Sequence, residues 1–299
     1  MNVEGVFVPV VTAFNDDESV DEARFGVAID YMIDGGVTGI VVGGTTGEYY
    51  AMTAEERLTQ LELGAKLVDG RAQLVAGCNS GSTRDVIMYA NHARGHGYDA
   101  IMLCPPPTSL PSQPELAAHV VAAAEESGMP VVLYNYPARS GVEFGIESLD
   151  LVADHPGIIA LKESSGDFSR FLHIKQRYEG RIEVMCGSDD QAYDYFAWGV
   201  RSWLAGTANV LPRQHVEFTE SMLAGDHELG RRQFAALLPW LHNMESGRYN
   251  AKVKAGLKHL GVDVGRVRRP MQALDDDLQA EVLAVLDAAV QQFDQVTNS

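Results

Sequence analysis

Lys162 ends a short apolar segment of the sequence, a position that gives its amine a chemical role. Residues 157–161 are small or apolar, too few for a helix, and followed by a Ser/Gly/Asp turn, so they predict a buried strand. Burial lowers the pKa of a lysine because the ammonium loses its hydration, and a neutral amine is a nucleophile near pH 7. The alternative without chemistry is a strand-end lysine that reaches solvent.

Other polar residues lie at or just after predicted strands, as Lys162 does. In a parallel α/β barrel the carboxyl ends of all strands form one rim, and active sites lie there. Such a rim would gather hydroxyls, a phenol and carboxylates around the amine, which favours a nucleophilic Lys162. The residues concerned are Thr45, Thr46 and Glu48 after the second strand, Asn79 after the third, Tyr134 and Asn135 at the fifth, and Ser188, Asp189 and Asp190 after the seventh.

Three features near these strand ends predict how a substrate would be held. Residues 43–47 offer backbone N–H groups and hydroxyls that suit a small carboxylate, and they lack the Gly-Lys-Ser/Thr ending of a nucleotide-binding loop. Tyr134 carries a phenol that can relay protons beside an amine. Arg139 could clamp a substrate carboxylate, with a surface ion pair as the alternative.

The elements that must position these residues alternate between apolar strands and amphipathic helices. Eight such strands predict an α/β protein with a (β/α)8 TIM barrel and a C-terminal helical extension. An open doubly wound sheet is the alternative, but no glycine-rich phosphate turn follows the first strand. Strands are expected over residues 5–12, 37–42, 73–77, 100–103, 130–135, 158–161, 182–185 and 202–205. Helices are expected over residues 21–34, from near 53, and over 82–96, 113–127, 226–243, 252–260 and 275–293.

Two regions of the chain follow from this pattern. Residues 1–210 are expected to form the barrel with the lysine site. Residues 211–299 are expected to supply the last barrel helix and the helical extension. Linkers and low-complexity segments are absent from the sequence, so the extension is expected to pack on the barrel.

Composition narrows the classes of partner. The 299 residues include 23 basic and 41 acidic side chains, a net charge of -18, which disfavours nucleic acid and anionic membranes as partners. No apolar run is long enough to span a membrane, and no basic segment precedes an apolar block at the N-terminus. Cys78, Cys104 and Cys186 show no CxxC spacing, which favours a reducing, cytoplasmic compartment.

Metal binding is not expected from the histidines. His92 and His96 would share a helix face, but the sequence places no carboxylate constellation beside them and contains no His-Glu-x-x-His motif. We therefore expect neither a metal nor a cofactor.

In combination, the motifs resemble the dihydrodipicolinate synthase/N-acetylneuraminate lyase family of Schiff-base lyases over essentially the whole chain. The motifs are Gly-Thr-Thr-Gly-Glu at 44–48, Tyr-Asn-x-Pro at 134–137, Lys-Glu at 162–163, and the segments 187–190 and 205–209. The resemblance implies a barrel with C-terminal helices, usually a homotetramer. It implies that Lys162 is the imine-forming lysine, that Tyr134 is the proton-transfer phenol and that Thr45 is its partner. It also implies that Thr46 binds a 2-oxo acid carboxylate together with nearby N–H groups. The expected substrate-binding residues are thus Gly44, Thr46, Gly47, Arg139, Ser188 and Ala208.

One loop departs from the family pattern. Dihydrodipicolinate synthases typically carry Pro-Tyr-Tyr after the fourth strand, where this chain has Pro105-Pro106-Pro107, although Arg139 looks like the synthase arginine. Because proline supplies no phenol, we expect elimination by a dehydratase or deaminase of a 2-keto-3-deoxy sugar acid or hydroxy-pyrroline carboxylate. Glu163 or Ser188 would aid Tyr134 and Thr45. The alternatives are 4-hydroxy-tetrahydrodipicolinate synthase, a 2-keto-3-deoxy acid aldolase and a non-catalytic 2-oxo acid sensor.

Overall fold

Eight parallel strands close into a barrel in which each strand pairs with its neighbours in sequence and β8 pairs with β1. The computed structural model describes residues 1–298. The (β/α)8 barrel with a C-terminal helical extension predicted from the sequence is confirmed. The strands are β1 (Gly5–Pro9), β2 (Gly39–Val42), β3 (Gln73–Gly77), β4 (Ala100–Leu103), β5 (Val131–Asn135), β6 (Ile158–Glu163), β7 (Glu183–Cys186) and β8 (Ser202–Leu204).

Helices surround the barrel and continue beyond it. Several begin at a side chain that caps the first turn, such as Asp21, Ser82 and Asp167, and Thr53 forms a reciprocal capping box with Glu56. The helices are α1 (Glu22–Asp34), α2 (Ala54–Val68), α3 (Thr83–Gly95), α4 (Gln113–Ser127), α5 (Pro137–Ser140), α6 (Ile146–Val152), α7 (Phe168–Tyr178), α8 (Ala192–Ala197), α9 (Pro212–Leu223), α10 (His227–Glu245), α11 (Tyr249–His259) and α12 (Asp276–Thr297).

The chain leaves β1 earlier than the sequence predicts. The strand ends at Pro9. The Val10 N–H still donates to Val41 O of β2 at 3.0 Å, but beyond it the Val11 N–H donates to Asn209 Oδ1 at 3.0 Å and the Thr12 hydroxyl to Gly47 O at 2.6 Å, so the chain bonds to loops from there on. In the extension, α10 runs to Glu245 and α11 begins at Tyr249, whereas an end at 243 and a start at 252 were expected. These boundary predictions were wrong. The end of α10 and the start of α11 matter for the site described below.

The barrel interior is filled by alternate residues of the strands. One apolar cluster contains Phe7, Val41, Met102 and Val132, while Ile40, next to Val41, belongs to the larger cluster between strands and helices. This is the two-residue period of a strand with both faces buried. Tyr134 belongs to the interior cluster, and its phenol therefore lies inside the barrel near the carboxyl ends of the strands.

A buried ionic clasp, formed by Glu48, Lys254 and Arg268, ties the extension to the loop after β2. Glu48 is fully buried; its Oε1 lies 2.8 Å from Lys254 Nζ, and its Oε2 accepts from the Arg268 N–H at 3.0 Å. The Arg268 guanidinium also donates to Ala51 O at 2.7 Å and lies 2.6 Å from Glu56 Oε1. The division at residue 210 stays a prediction, but the extension contributes directly to a barrel loop.

Within the part of the chain that the structure describes, none of the helices combines the length and apolar character needed to cross a membrane.

Candidate active site

Lys162 lies on β6 directly beside Tyr134 of the neighbouring strand β5. Its side chain is 7% exposed, and its Nζ lies 4.3 Å from the centroid of the Tyr134 ring. Among the described residues, no hydrogen bond or ion pair holds this ammonium. Burial lowers the pKa of Lys162 to about 8, and the nearby Asp189 offsets part of that shift. A useful fraction of the amine is therefore neutral near pH 7.

Gly187 makes room for the lysine. A Cβ at Gly187 would lie 2.8 Å from both Cγ and Cε of Lys162 and 2.1 Å from Ser164 Oγ, distances that side-chain atoms do not adopt. Its φ is not in the left-handed region, so the space, and not the backbone conformation, requires glycine here. Glycine is therefore required at position 187 because any side chain there would overlap Lys162.

A cavity of about 310 Å³ opens over Lys162 at the carboxyl ends of the strands. It brings together most of the residues that the sequence singled out: Thr45, Thr46, Tyr134, Arg139, Lys162 and Ser188. A cavity of this volume holds a small organic acid, and polar groups line much of it.

Three predicted binding residues do not line this cavity. Gly44 and Gly47 are buried beneath the loop surface, where Gly47 O accepts the Thr12 hydroxyl. Ala208 is fully buried, and its methyl group packs in the apolar cluster between strands and helices. Their role in binding stays a prediction, and it would have to come from backbone groups, as expected for the 43–47 loop.

Tyr134 and Thr45 face the same cavity, but no hydrogen bond joins them directly in the described residues. Burial raises the pKa of the Tyr134 phenol far above its usual range, so the phenol stays protonated and can donate. Their relay remains a prediction, because a substrate atom or water would have to connect the two hydroxyls.

Arg139 is a cation available to a ligand. Its guanidinium lies 5.3 Å from the centroid of the Tyr136 ring, and no carboxylate pairs with it in residues 1–298. The surface ion pair considered from the sequence is therefore absent from the structure. Lying on α5 at the edge of the cavity, Arg139 could bind an anionic or hydroxylated group that extends from Lys162.

Glu163 does not face the cavity, although the sequence suggested that it might assist catalysis. It follows Lys162 on β6, so its side chain points to the other face of the strand. There it is fully buried and accepts from Asn135 Nδ2 at 3.0 Å, from the Ser165 N–H at 2.7 Å and from Arg170 Nε at 3.2 Å. This expectation was wrong: Glu163 fixes the loops behind the rim.

Two serines line the cavity with hydroxyl groups that are themselves buried. Ser164 and Ser188 are 8% and 7% exposed, and their Oγ atoms lie beneath the cavity surface. A substrate would reach them only after these side chains turn toward the cavity. Ser188 was expected to contact substrate, whereas Ser164 was not.

Glu245, at the end of α10, lines the cavity together with Asp190. Glu245 is exposed at the mouth of the cavity, where the surrounding protein partly desolvates its carboxyl group. Burial raises the pKa of Glu245 to about 7, and Asp189 and Asp190 add to the effect. Local sequence held no signal for this residue, because α10 reaches the barrel rim only through packing of the whole extension.

Asp189 is fixed below the cavity floor. It is 3% exposed, accepts from Trp203 Nε1 at 2.9 Å, and lies 2.9 Å from Thr207 Oγ1 and 3.3 Å from the Tyr249 hydroxyl. Tyr249 belongs to α11, so the extension supports this carboxyl as well. The sequence predicted that both Asp189 and Asp190 lie at the rim, but it did not show that Asp189 is buried and Asp190 is not.

A possible metal-ligand cluster lies elsewhere. Glu62 of α2 joins His92 and His96 of α3, with carboxylate-to-imidazole distances of 3.2 and 3.9 Å. The statement that no carboxylate accompanies these histidines is corrected, because Glu62 comes from a different helix. None of the three residues lines the cavity, and both imidazoles already bond to backbone carbonyls.

The three prolines after β4 add no group to the cavity. Residues 105–107 belong to an irregular loop, and none of them lines the space above Lys162. The loop therefore supplies no hydroxyl to the site within one chain.

Comparison with known proteins identifies the family. The model of the dihydrodipicolinate synthetase family matches residues 2–289. A 4-hydroxy-tetrahydrodipicolinate synthase from Exiguobacterium sp. is 34% identical over 292 residues, 98% of each chain. The structure of 4-hydroxy-tetrahydrodipicolinate synthase from Methylacidiphilum fumariolicum SolV shares the fold, with a TM-score of 0.94, 24% identity and 99% of each chain covered. A chloride-inhibited dihydrodipicolinate synthase from Acinetobacter baumannii, solved in complex with pyruvate, gives a TM-score of 0.92 at 26% identity, covering 97% of this chain and 99% of that one. The protein therefore belongs to the dihydrodipicolinate synthetase family and is a lyase.

Proposed function

We propose that this lyase acts on a short 2-oxo acid through an imine on Lys162, and that it is a dehydratase or deaminase. The substrate class is a 2-keto-3-deoxy sugar acid or a hydroxy-pyrroline carboxylate. The observation that carries this choice is the pair of carboxyl groups, Asp190 and Glu245, that line the cavity, in a chain whose loop after β4 supplies no phenol. A carboxyl group placed there can give a proton to a leaving group or take one.

The first half of the reaction uses Lys162 as the nucleophile. Its neutral amine attacks the C2 ketone, and loss of water gives a protonated imine that withdraws electrons from C3. Thr46, with the neighbouring backbone N–H groups, would hold the substrate carboxylate. The pyruvate complex of the Acinetobacter baumannii relative supports a 2-oxo acid of this size.

Elimination needs a base at C3 and an acid at C4. The C3 proton passes through the hydroxyls of Tyr134 and Thr45 to the Glu245 carboxylate, and the imine becomes an enamine. The enamine electron pair then expels the C4 hydroxyl or amine, which leaves as water or ammonia with a proton from Glu245. The resulting unsaturated imine is hydrolysed and frees Lys162.

A second candidate is 4-hydroxy-tetrahydrodipicolinate synthase, which condenses pyruvate with aspartate semialdehyde. The unpaired Arg139 favours it, because a guanidinium suits the semialdehyde carboxylate, and so do the names of the relatives. Against it, the loop after β4 has no phenol, and two carboxylates, Asp190 and Glu245, lie at the same cavity. The carboxylate of aspartate semialdehyde, a second one beside that of pyruvate, would be repelled by both, whereas the hydroxyl groups of a sugar acid would bond to them. Aldol cleavage needs the same lysine and has no separate observation in its favour. A non-catalytic sensor would have no need for the lowered pKa of Lys162.

The experiment compares substrates and then removes the proposed acid. Pyruvate plus aspartate semialdehyde, 2-keto-3-deoxy acids and hydroxy-pyrroline carboxylates are compared by kcat/KM. Glu245→Gln should then lower elimination by about 10²–10⁴-fold while pyruvate is still trapped on Lys162 by borohydride. Glu228→Gln, at the other end of α10 and paired with Arg231 on the surface, is the matched control. Efficient condensation without loss of water or ammonia would refute the proposal.

A further inference from the structure

Two histidines and one glutamate from neighbouring helices meet in the outer helix layer, away from the cavity over Lys162. We call them the α2–α3 cluster: Glu62, His92 and His96. Glu62 belongs to α2, and the two histidines, four residues apart, share one face of α3. Glu62 Oε1 lies 3.2 Å from His92 Nε2 and 3.9 Å from His96 Nε2, and the ligand atoms of all three residues lie within 4.8 Å of one another.

These separations fit the ligands of one divalent ion. Ligand atoms around a tetrahedral Zn²⁺, at bond lengths of about 2.0–2.2 Å, lie roughly 3.4 Å apart. Glu62 is already near this distance from His92, and a small rotation of the His96 ring closes the longer gap. The side chains of His92, His96 and Glu62 are 22%, 36% and 52% exposed, so an ion can enter from solvent and a water molecule can complete the tetrahedron.

The backbone holds the two imidazoles in different ways. His96 Nδ1 lies 2.9 Å from His92 O, and because a carbonyl carries no hydrogen, Nδ1 is the donor. The neutral His96 ring therefore keeps a lone pair on Nε2, the arrangement usual for a metal-binding histidine. His92 Nε2 lies 3.2 Å from Leu58 O and donates to it in the metal-free protein. A metal ion would replace that hydrogen, and the ring proton would move to Nδ1.

The charges around the α2–α3 cluster favour a cation. The lone pair on His96 Nε2 and the Glu62 carboxylate both attract positive charge, and within residues 1–298 no lysine or arginine pairs with Glu62. His96 also caps the C-terminus of α3, where the helix dipole places partial negative charge. Arg94, in the same turn, reaches toward Gly128 at the end of α4 instead.

We propose that Glu62, His92 and His96 bind a Zn²⁺ ion that ties α2 to α3. Imidazole ligands select zinc and similar transition metals over Mg²⁺ and Ca²⁺. His96 also borders a depression at the starts of β3 and β4, formed in part by Gln73 and Asp99. This is the face of the barrel opposite the cavity, where residues serve stability. The ion is therefore structural, and it has no part in the chemistry at Lys162.

The experiment titrates ZnCl₂ into EDTA-treated, dialysed enzyme that carries no polyhistidine tag. Calorimetry near neutral pH should show one ion bound per chain, and zinc at about 100 times its Kd should raise the midpoint of thermal unfolding by a few degrees. His92→Gln and His96→Gln should each weaken zinc binding by more than about 100-fold, beyond the 10–100-fold that loss of a supporting hydrogen bond costs. Glu62→Gln should act in the same direction. All three side chains are partly exposed, so the variants should fold and should unfold like the wild type without zinc.

His259→Gln is the matched control. His259 Nε2 lies 2.8 Å from Asp287 Oδ1 on the surface, a histidine–carboxylate pair that lacks the second imidazole, so this variant should bind zinc as the wild type does. CoCl₂ should give a spectrum without the intense near-ultraviolet band of a thiolate ligand, which excludes binding at Cys104.

Three results would overturn the inference. An absence of zinc binding to the wild type would show that the α2–α3 cluster is an ion pair only. Binding that survives both histidine substitutions, or that His259→Gln weakens equally, would place the ion elsewhere. Pyruvate trapping on Lys162 should be equally fast in EDTA-treated and zinc-loaded enzyme, and a requirement for zinc there would contradict the structural role.

Discussion

Lys162 combines features that rarely occur together: it is nearly completely buried, it has no ionic partner within residues 1–298, and it lies beside a phenol. These features lower its pKa to about 8 and leave the amine free to react. At the scale of single residues, the pH dependence of imine formation follows from this value.

The rate of pyruvate trapping should rise with pH and level off above about pH 8. The neutral amine is the reactive form, so the rate should fall about tenfold for each unit below the pKa. Borohydride trapping followed by digestion and mass analysis locates the adduct. Lys162→Ala should abolish it, and Lys252, also buried, is the internal control. A flat profile from pH 6 to 9, or a label on Lys252, would contradict the assignment.

Tyr134→Phe should lower turnover by about 10²–10⁴-fold, because the variant loses the phenol that moves protons near C3. Imine trapping on Lys162 should persist. Steady-state kinetics and trapping on the same preparation separate the two steps. Tyr98→Phe is the control, since it removes a buried phenol that bonds to Leu61 O at 2.8 Å outside the cavity. If Tyr134→Phe turns over normally, Tyr134 is a packing residue.

Gly187→Ala should reduce imine formation by about 10²-fold, because the added methyl group overlaps the Lys162 side chain and displaces its amine. Trapping rate and thermal unfolding are measured together, since the clash also strains the fold. Gly81→Ala is the control: no atom lies within 4 Å of a Cβ there, and φ is outside the left-handed region. An unchanged trapping rate would show that Lys162 adapts to the methyl group.

At the scale of elements, the alternation of strands and helices was predictable because each element carries its own period. Buried strands are short apolar runs, and helices show capping residues such as Thr53 and Asp167. The residues at strand ends, including Lys162, Tyr134 and Thr45, therefore came to the expected rim. Glu163 could have been excluded by the same logic, because adjacent residues of a strand face opposite sides.

The part of the site that comes from the extension was not predictable from the sequence. Glu245 reaches the cavity at the end of α10, and Asn250 Nδ2 lies 3.3 Å from Thr46 O, about 200 residues away in the chain. Contacts of this range depend on how α10 and α11 pack on the barrel, and no local pattern encodes that packing. The sequence showed the helices but not which residues of them would face Lys162.

The buried ionic clasp allows the contribution of such long-range contacts to stability to be measured. Glu48→Gln should destabilise the protein by about 3–5 kcal/mol, because it leaves Lys254 charged and buried without its carboxylate. Urea unfolding measures the change in free energy. A Glu48→Gln, Lys254→Met double variant removes both charges and should recover much of the loss. Wild-type stability of the single variant would show that Lys254 finds water or loses its proton.

At the scale of the whole molecule, the prediction concerns how many subunits assemble. The family resemblance predicts a homotetramer, and each chain carries a net charge of -18 that makes identical subunits repel. Salt screens such repulsion, so the assembled fraction should increase with ionic strength. Sedimentation at low and high salt should give a mass near four times the 32.5 kDa chain at high salt. A monomer throughout would contradict the prediction.

The clasp also has a consequence for when the enzyme becomes active during its synthesis. The loop with Thr45 and Thr46 leaves the ribosome early. Lys254 and Arg268, which bind Glu48 of this loop, are translated some 200 residues later. A nascent chain halted before residue 254 would already contain Lys162 and Tyr134 but would have no partner for the buried Glu48. We therefore expect the proposed reaction with 2-oxo acids to begin only once the last helices have been made.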